Sequence, residues 1–156
     1  MKDIMVYDEA HYFGDATGET ISLGGVITEM TESSNPKETE KQYIHQKSSI
    51  TKTTGFGNEF PITMDMVKGD AVSEDFYQLF YKRAVGTELE RDHYIVNLWE
   101  NEGENVYKAR KIRQTVSITE ATGGAGEQKQ ISGSLKGGDF EYGTFNVSTK
   151  TFTADV

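Results

Sequence analysis

A single helical pattern among many strand patterns is the feature that most limits the fold of this chain. Residues 72–86 place apolar side chains at i, i+3 and i+4 spacing, with Ser73 able to cap the start of a helix and Gly86 able to end it. We therefore predict one α-helix over about residues 73–85. Its second, aromatic stripe packs either on the same core or on a partner subunit. The stripe predicted to be buried consists of Phe76, Leu79 and Phe80.

Most of the remaining chain alternates between apolar and polar residues, as half-buried β-strands do. The clearest pair is 106–122 and 127–136, with residues such as Ile112 and Ile131 on the apolar side. Any antiparallel sandwich whose sheets have one solvent-exposed face produces this pattern. We predict a mainly β fold, a two-sheet sandwich or partial barrel of antiparallel strands with one flanking helix. The polar side of the pair consists of Thr115, Ser117, Thr119, Gln130, Ser132 and Ser134.

A polar segment at residues 31–40, without a single apolar side chain, separates two of the predicted strands. Such a segment cannot bury enough surface to offset roughly 1–2 kcal/mol per residue of backbone ordering. We therefore predict a single domain over residues 1–156 with a long, mobile hairpin loop at about 31–42, a type of loop that is often functional. The other predicted strands cover residues 4–7, 20–30, 42–53, 60–67 and 92–100, with a terminal hairpin at 143–153.

Composition and charge restrict the function classes. A chain of 156 residues is most simply one domain, and Leu, Ile, Val and Phe are few for that length, which is compatible with further burial by assembly. The net charge of −9 argues against a protein that binds nucleic acid tightly, because phosphate binding needs clustered Lys and Arg. Without cysteine, disulfides and thiolate chemistry are excluded. The start of the sequence does not resemble a signal peptide, so we expect synthesis in a cytoplasm.

The residues that usually carry catalysis do not form a recognisable pattern. His11, His45 and His93 are scattered, and none has a metal-ligand spacing with an acid or another histidine. No serine lies in a Gly-x-Ser-x-Gly motif, and paired acids such as Glu38 and Glu40 lie in polar segments where nothing would raise their pKa. We expect no catalytic, cofactor-binding or metal-binding residues, and a protein that is not an enzyme.

The order of these parts resembles the tail tube (major tail) proteins of long-tailed bacteriophages, and tubes of type VI secretion systems are similar in fold. Four features carry the resemblance: the polar excursion at 31–42, a Thr-Thr-Gly-Phe-Gly-Asn turn at 53–58 before an alternating strand, the helix at 73–85 and the terminal hairpin at 143–153. The resemblance implies a structural virion protein of the tail, made in the host cytoplasm. Six copies would form a ring, and stacked rings would form a hollow tube through which DNA passes without specific binding.

The resemblance also implies roles for particular residues. The long loop would contact the next ring or a neighbouring subunit, and the polar strand faces around Thr115 and Ser132 would line the lumen. Partners would be other copies of the chain and the tape measure, baseplate and terminator proteins, with no cofactor and no membrane. The alternatives are a secretion-system tube protein and a non-catalytic β-sandwich module that binds carbohydrate or another ligand through Tyr94, Trp99 and Tyr107. The loop residues implied at the contact are Glu32, Asn35, Pro36, Lys37, Glu38 and Glu40.

Overall fold

The structure, a computed structural model, describes residues 1–155 and is mainly β. The predicted mainly β, antiparallel fold with one flanking helix is confirmed. No helix in this range is long and apolar enough to span a membrane. The elements are β1 (Glu9–Gly14), β2 (Ile21–Leu23), β3 (Ile27–Met30), β4 (Pro36–Lys41), β5 (Ile50–Phe56), β6 (Glu59–Asp65), α1 (Ala71–Tyr81), β7 (Glu90–Gly103), β8 (Val106–Thr122), β9 (Gln130–Lys136), β10 (Phe140–Asn146) and β11 (Thr151–Ala154), with 3-10 turns at Val6–Asp8 and Gly86–Leu89.

One large antiparallel sheet contains all strands except β4 and β5, in the order β2-β1-β7-β8-β9-β6-β3. The 17-residue strand β8 pairs with β7 along one edge and shares its other edge between β10 and β9, and β11 extends the β10 side. Strands β2 and β3 lie at opposite ends of this order, yet only three residues separate them in the chain. Three residues span at most about 14 Å between the flanking Cα atoms, so the sheet must curl into a partial barrel.

The inside of this partial barrel holds the main hydrophobic core. Phe13 of β1, Phe60 of β6 and Leu135 of β9 pack there against Phe76 of α1, all at most 2% exposed. The Phe13 and Phe76 rings meet edge to face at 5.2 Å between centroids, which fixes the helix against the sheet. A second cluster lies on the opposite side of β1, β7 and β8, where the β10–β11 hairpin covers it; its buried members are Tyr12, Tyr94, Val96, Ala109 and Phe145.

The helix is shorter and begins earlier than residues 73–85. Asp70, not Ser73, is the N-cap: its carboxylate accepts a hydrogen bond from the Ser73 backbone N–H at 2.9 Å. The helix ends at Tyr81 because Arg83 adopts a left-handed conformation with φ of 55°. Gly86, expected to end the helix, begins the following 3-10 turn instead. The patterning therefore located the helix but not its ends.

Several predicted segments differ from the structure, including the predicted strand 42–53, which begins only at Ile50. Residues 4–7 are not a strand, since Val6–Asp8 form a 3-10 turn and pairing starts at Glu9. Residues 20–30 form two strands, β2 and β3, and not one. The two strands lie at opposite ends of the strand order, so the chain leaves the sheet after Leu23 and rejoins it at the other end at Ile27. Gly24 lies at this crossing, where an added Cβ would come within 2.9 Å of the Phe13 ring and 2.7 Å of Ile27. The polar segment 31–40 also contains most of strand β4.

Candidate functional site

The polar residues predicted on β8 and β9 lie together on one surface, which we call the polar face. The strand register places Ser117 opposite Ser134, and β6 continues the face by placing Thr63 opposite Ser132. Their neighbours along each strand, such as Val116 and Leu135, point the other way into the core. The six predicted positions Thr115, Ser117, Thr119, Gln130, Ser132 and Ser134 are all exposed or half-buried.

Close strand approach shapes the centre of the polar face. A bulge between Ile118 and Glu120 sets two residues of β8 against Ser132, and the Thr119 hydroxyl donates to the Ser132 carbonyl at 3.3 Å. A Cβ at Gly133 would lie 2.0 Å from the Ser117 carbonyl oxygen, so no side chain fits there without moving backbone. The face is therefore a pleated surface of small hydroxyl side chains with a shallow depression, and it offers no enclosed pocket.

The charged residues of the polar face are mostly acidic. Lys136 lies opposite Glu59 at the rim, with 4.0 Å between the Lys136 ammonium and the Glu59 carboxylate. Farther along β8, Arg113 contacts Asp92 of β7 at 3.1 Å. On this surface the basic side chains are paired with carboxylates, and acidic side chains outnumber basic ones. Such a surface does not retain phosphate groups, because phosphate binding requires clustered cations. The remaining acids whose register places them on this face are Glu29, Asp65, Glu90 and Glu120.

The predicted loop is a two-stranded arm that stands off the body. Strands β4 and β5 pair only with each other, and every residue of β4 is exposed. The arm turns at residues 42–49, beyond the predicted 31–42, and its tip carries exposed Tyr43 and a fully exposed Ile44 at 103%. The sequence predicted one strand over residues 42–53, but pairing begins only at Ile50, so these tip residues were missed as surface features. Their only signal is two apolar residues within a long polar stretch.

The residues predicted at the inter-subunit contact divide into two groups. Glu32 already has a partner within the chain: its two carboxylate oxygens each accept from the Arg110 guanidinium at 2.8 Å. This bond to Glu32 raises the pKa of Arg110, which also lies 4.6 Å above the Phe140 ring. Asn35, in a left-handed conformation with φ of 43°, donates through its amide to the Gly57 carbonyl at 2.9 Å. Both residues hold the base of the arm, while exposed β4 presents Pro36, Lys37, Glu38 and Glu40.

The helix stripe is unequally buried. Phe76 is 0% exposed, whereas Leu79 and Phe80 are half-buried. Leu79 contacts the main core, but Phe80 lies at its rim, where the Arg83 guanidinium covers the ring at 4.4 Å. The other fully buried helix positions are Val72 and Ser73. Phe80, the i+4 member of the stripe, lies in the last turn of the helix and is not part of the main core cluster.

The three histidines do not form a metal site. His45 is exposed near the arm tip, whereas His11 and His93 are adjacent in space although 82 residues apart in the chain. Within residues 1–155, no three His, Cys, Asp or Glu side chains are grouped to hold a metal ion. The buried side-chain nitrogen and oxygen atoms of this range all have hydrogen-bond partners, so none of them is directed at a missing ligand.

Comparison with known proteins places this fold among phage-like tails. No protein-family model matches the chain, and no curated protein matches it. The structure resembles the SPP1 tail tube solved by solid-state NMR and cryo-EM, with a TM-score of 0.70, 18% identity, and coverage of 90% of this chain and 78% of that one. It also resembles the tail of an empty GTA particle refined with C6 symmetry, with a TM-score of 0.59, 13% identity, and coverage of 97% and 100%.

A third solved structure, the six-fold symmetrised baseplate of the anti-feeding prophage, matches with a TM-score of 0.55 and 6% identity over 91% of this chain and 96% of that one. The chain therefore has a phage tail tube-like fold, as the resemblance in its sequence implied. The first two neighbours belong to tails, which are structural assemblies and not enzymes, in agreement with the expectation of a non-enzymatic protein.

Proposed function

We propose that this protein is the structural subunit of a phage-like tail tube, in which six copies form a ring and rings stack into a hollow cylinder that DNA crosses. The observation that carries the proposal is the shared fold over 90% of the chain with the SPP1 tail tube. The six-fold symmetry of the GTA tail and the anti-feeding prophage baseplate supports a six-membered ring. The protein would be made in the host cytoplasm and reside in the virion tail, in contact with other tail proteins.

We assign the polar face to the lumen of this tube. Thr115, Ser117 and Ser134 present hydroxyls without a free cluster of cations, so passing phosphates would find no anchor. The helix packs on the core side of the same strands, so a ring with the polar face inward places α1 away from the lumen. Closing the ring also pairs or covers the free sheet edges, which would otherwise promote aggregation.

We assign the arm to the contact between rings. Its strands β4 and β5 bury almost nothing in the free subunit, while the bond between Glu32 and Arg110 holds its base in a defined direction. Exposed Lys37, Glu38 and Glu40 would pair with charges on the next subunit. The apolar tip at Tyr43 and Ile44 supplies surface to bury there. Glu32 and Asn35 orient the arm and leave the contact itself to β4 and the tip.

A tube protein of a secretion system is the second candidate, because the fold also matches a component of the anti-feeding prophage baseplate. The ligand-binding alternative has less support. Tyr94 is buried at 4% exposure and packs its ring 5.8 Å from that of Phe152. Tyr94 is therefore not free to stack on a sugar beside Trp99 and Tyr107.

Cysteine labelling of assembled tubes tests the lumen assignment, because the natural chain has no cysteine. Thr115→Cys places one thiol on the polar face, and Gln78→Cys is the matched control on the exposed side of α1. In free subunits both thiols should react with a small maleimide and with maleimide-coated gold beads. In tubes the beads should label Gln78→Cys and fail to label Thr115→Cys. Bead labelling of Thr115→Cys along the outside of tubes would overturn the lumen assignment.

A further inference from the structure

Four side chains from β1, β7 and β8 form a hydrogen-bonded row inside the subunit that tube assembly does not use. The Glu9 carboxylate lies 3.1 Å from His11 Nε2, and His11 Nδ1 lies 2.9 Å from His93 Nε2. His93 Nδ1 lies 3.0 Å from the side-chain oxygen of Gln114. The row runs from half-buried Glu9 to Gln114, which is 2% exposed.

The inner end of the row determines where the protons lie. The Gln114 amide nitrogen is 3.5 Å from the carbonyl oxygens of both Leu135 and Gly137, which can only accept hydrogen bonds. The Gln114 oxygen therefore faces His93, and since that oxygen also only accepts, His93 Nδ1 must carry a proton. Burial between the stacked Phe13 ring at 4.6 Å and the Phe60 ring at 5.0 Å keeps His93 neutral, with Nε2 bare. The same burial, reinforced by neighbouring His11, lowers the pKa of His93 well below its usual 6.5.

The outer end of the row then requires a charged ring. The bare Nε2 of His93 can only accept, so His11 Nδ1 must donate to it. His11 Nε2 faces the Glu9 carboxylate, which accepts as well, so both His11 nitrogens need protons. The hydrogen bond from His11 is the main cause of the lowered pKa of Glu9. The row is complete with one imidazolium, His11, and one neutral imidazole, His93.

We propose that Glu9, His11, His93 and Gln114 form a proton-dependent latch that holds β1 on β7 and β8 and opens when His93 gains a second proton. That proton would set two N–H groups against each other across the 2.9 Å gap and place two positive rings with centroids 5.1 Å apart. The proposal concerns the subunit itself and does not depend on the proposed tube.

Within residues 1–155, no carboxylate contacts His93 to compensate for a second charge there. From β8, His93 faces Arg110, whose positive charge disfavours protonation of His93. The Arg110 guanidinium is itself paired with Glu32. From β1, His93 faces Phe13 and His11, with Glu9 beyond His11. From β6 it faces the uncharged Phe60. Opening the latch is therefore the way for His93 to accept a proton, and β1, an outer strand followed in the sheet only by β2, is the element released.

The sign of the pH dependence follows from proton counting. Below pH 6.5 the unfolded chain protonates the imidazoles of residues 11 and 93, whereas the folded row holds one imidazolium because His93 stays neutral. The unfolded chain then binds more protons, so stability falls as the pH falls. One such proton lowers the folded-to-unfolded ratio by up to about tenfold per pH unit. Glu9 acts in the same direction at lower pH, because its folded pKa lies below the usual 4.5.

Nitrogen-15 NMR of histidine-labelled subunits at pH 7 tests the proton positions, with exposed His45 as the internal reference. We expect His93 with a protonated Nδ1 and a bare Nε2, and His11 with both nitrogens protonated. Glu9→Gln should leave the His93 tautomer unchanged. A His93 protonated on Nε2, or a His11 carrying one proton in the wild type, would overturn the latch.

Chemical denaturation between pH 7 and 5 tests the opening. His93→Phe keeps an aromatic ring between Phe13 and Phe60 but cannot titrate, and His45→Phe is the matched control on the arm. We expect the loss of stability with falling pH to be strongly reduced in His93→Phe and retained in His45→Phe. A wild-type slope in His93→Phe would refute the proposal. If His93→Phe does not fold, amide hydrogen exchange of the wild-type protein tests the opening of the latch instead. Wild-type β1 must then exchange at least tenfold faster at pH 5 than at pH 7, after correction for intrinsic rates, relative to β9.

Discussion

Replacing Phe76 by alanine is expected to lower the free energy of unfolding by about 3–5 kcal/mol, the range for removing a fully buried aromatic ring. Phe76 is 0% exposed, and its ring fills the space between the helix and the Phe13 ring of β1. The cavity left behind would lie between α1 and the sheet, where neither can collapse without breaking the bond between Asp75 and Arg91. Urea denaturation followed by circular dichroism measures the change.

Phe80→Ala is the matched control for Phe76→Ala, on the same helix and with the same atoms removed. Phe80 lies at the rim of the core under the Arg83 guanidinium, so water already contacts its ring and its removal leaves no closed cavity. We expect less than half the effect of Phe76→Ala. Equal losses in the two variants would show that the helix packs on the core differently from the arrangement described here.

Shortening the arm is expected to abolish tube growth and to leave the subunit nearly as stable as the wild type. Strand pairing sets Glu38 opposite Thr53 and Thr39 opposite Lys52. Replacing residues 39–52 by Asn-Gly should therefore close a short hairpin with a type I′ turn. The deleted residues are mostly exposed, so little burial is lost. Thermal melting measures stability, and sedimentation with negative-stain microscopy measures assembly.

A second arm variant separates the roles of arm length and tip chemistry. Tyr43→Ser with Ile44→Ser keeps the strands and removes only the exposed apolar tip. Reduced assembly in this variant would assign binding energy to the tip, and unchanged assembly would assign it to the strands and their charges. If the shortened protein polymerises as readily as wild type, the arm is not part of the ring contact.

The sequence predicted best where side-chain burial alternates along a strand. The pattern over 106–122 matches the bounds of β8, because buried Ile112, Gln114 and Val116 alternate along the strand with residues that are exposed or half-buried. Strand β4 was missed because it does not pack on a hydrophobic core. Backbone hydrogen bonds to β5 hold it in place, and these do not require apolar and polar residues to alternate in the sequence. Predicted strand 127–136 starts three residues early, since Glu127 belongs to a turn closed by its backbone bond to Gly124.

Contacts between distant parts of the chain could not be predicted from periodicity. Glu32 and Arg110 are 78 residues apart in the chain, and His11 and His93 are 82 apart. The register of β1 and β7 brings the two histidines together, whereas Glu32 lies in the segment between β3 and β4 and meets Arg110 of β8 only in the folded structure. Glu32 is the clearest example. It is a charged residue in a polar segment and was therefore predicted at an inter-subunit contact, but its carboxylate binds Arg110 of its own chain. The polar face, by contrast, could be predicted, because each of its strands carries the alternation locally.

Electron microscopy of the purified protein at high concentration, alone and with the baseplate proteins proposed as its partners, tests the central claim most directly. We predict hollow tubes of uniform width with six-fold symmetry in cross-section, and a reconstruction in which the polar face around Ser117 and Ser134 lines the channel. A protein that remains monomeric at every concentration and with every baseplate partner would contradict the account. Tubes in which α1 faces the channel would contradict the lumen assignment alone.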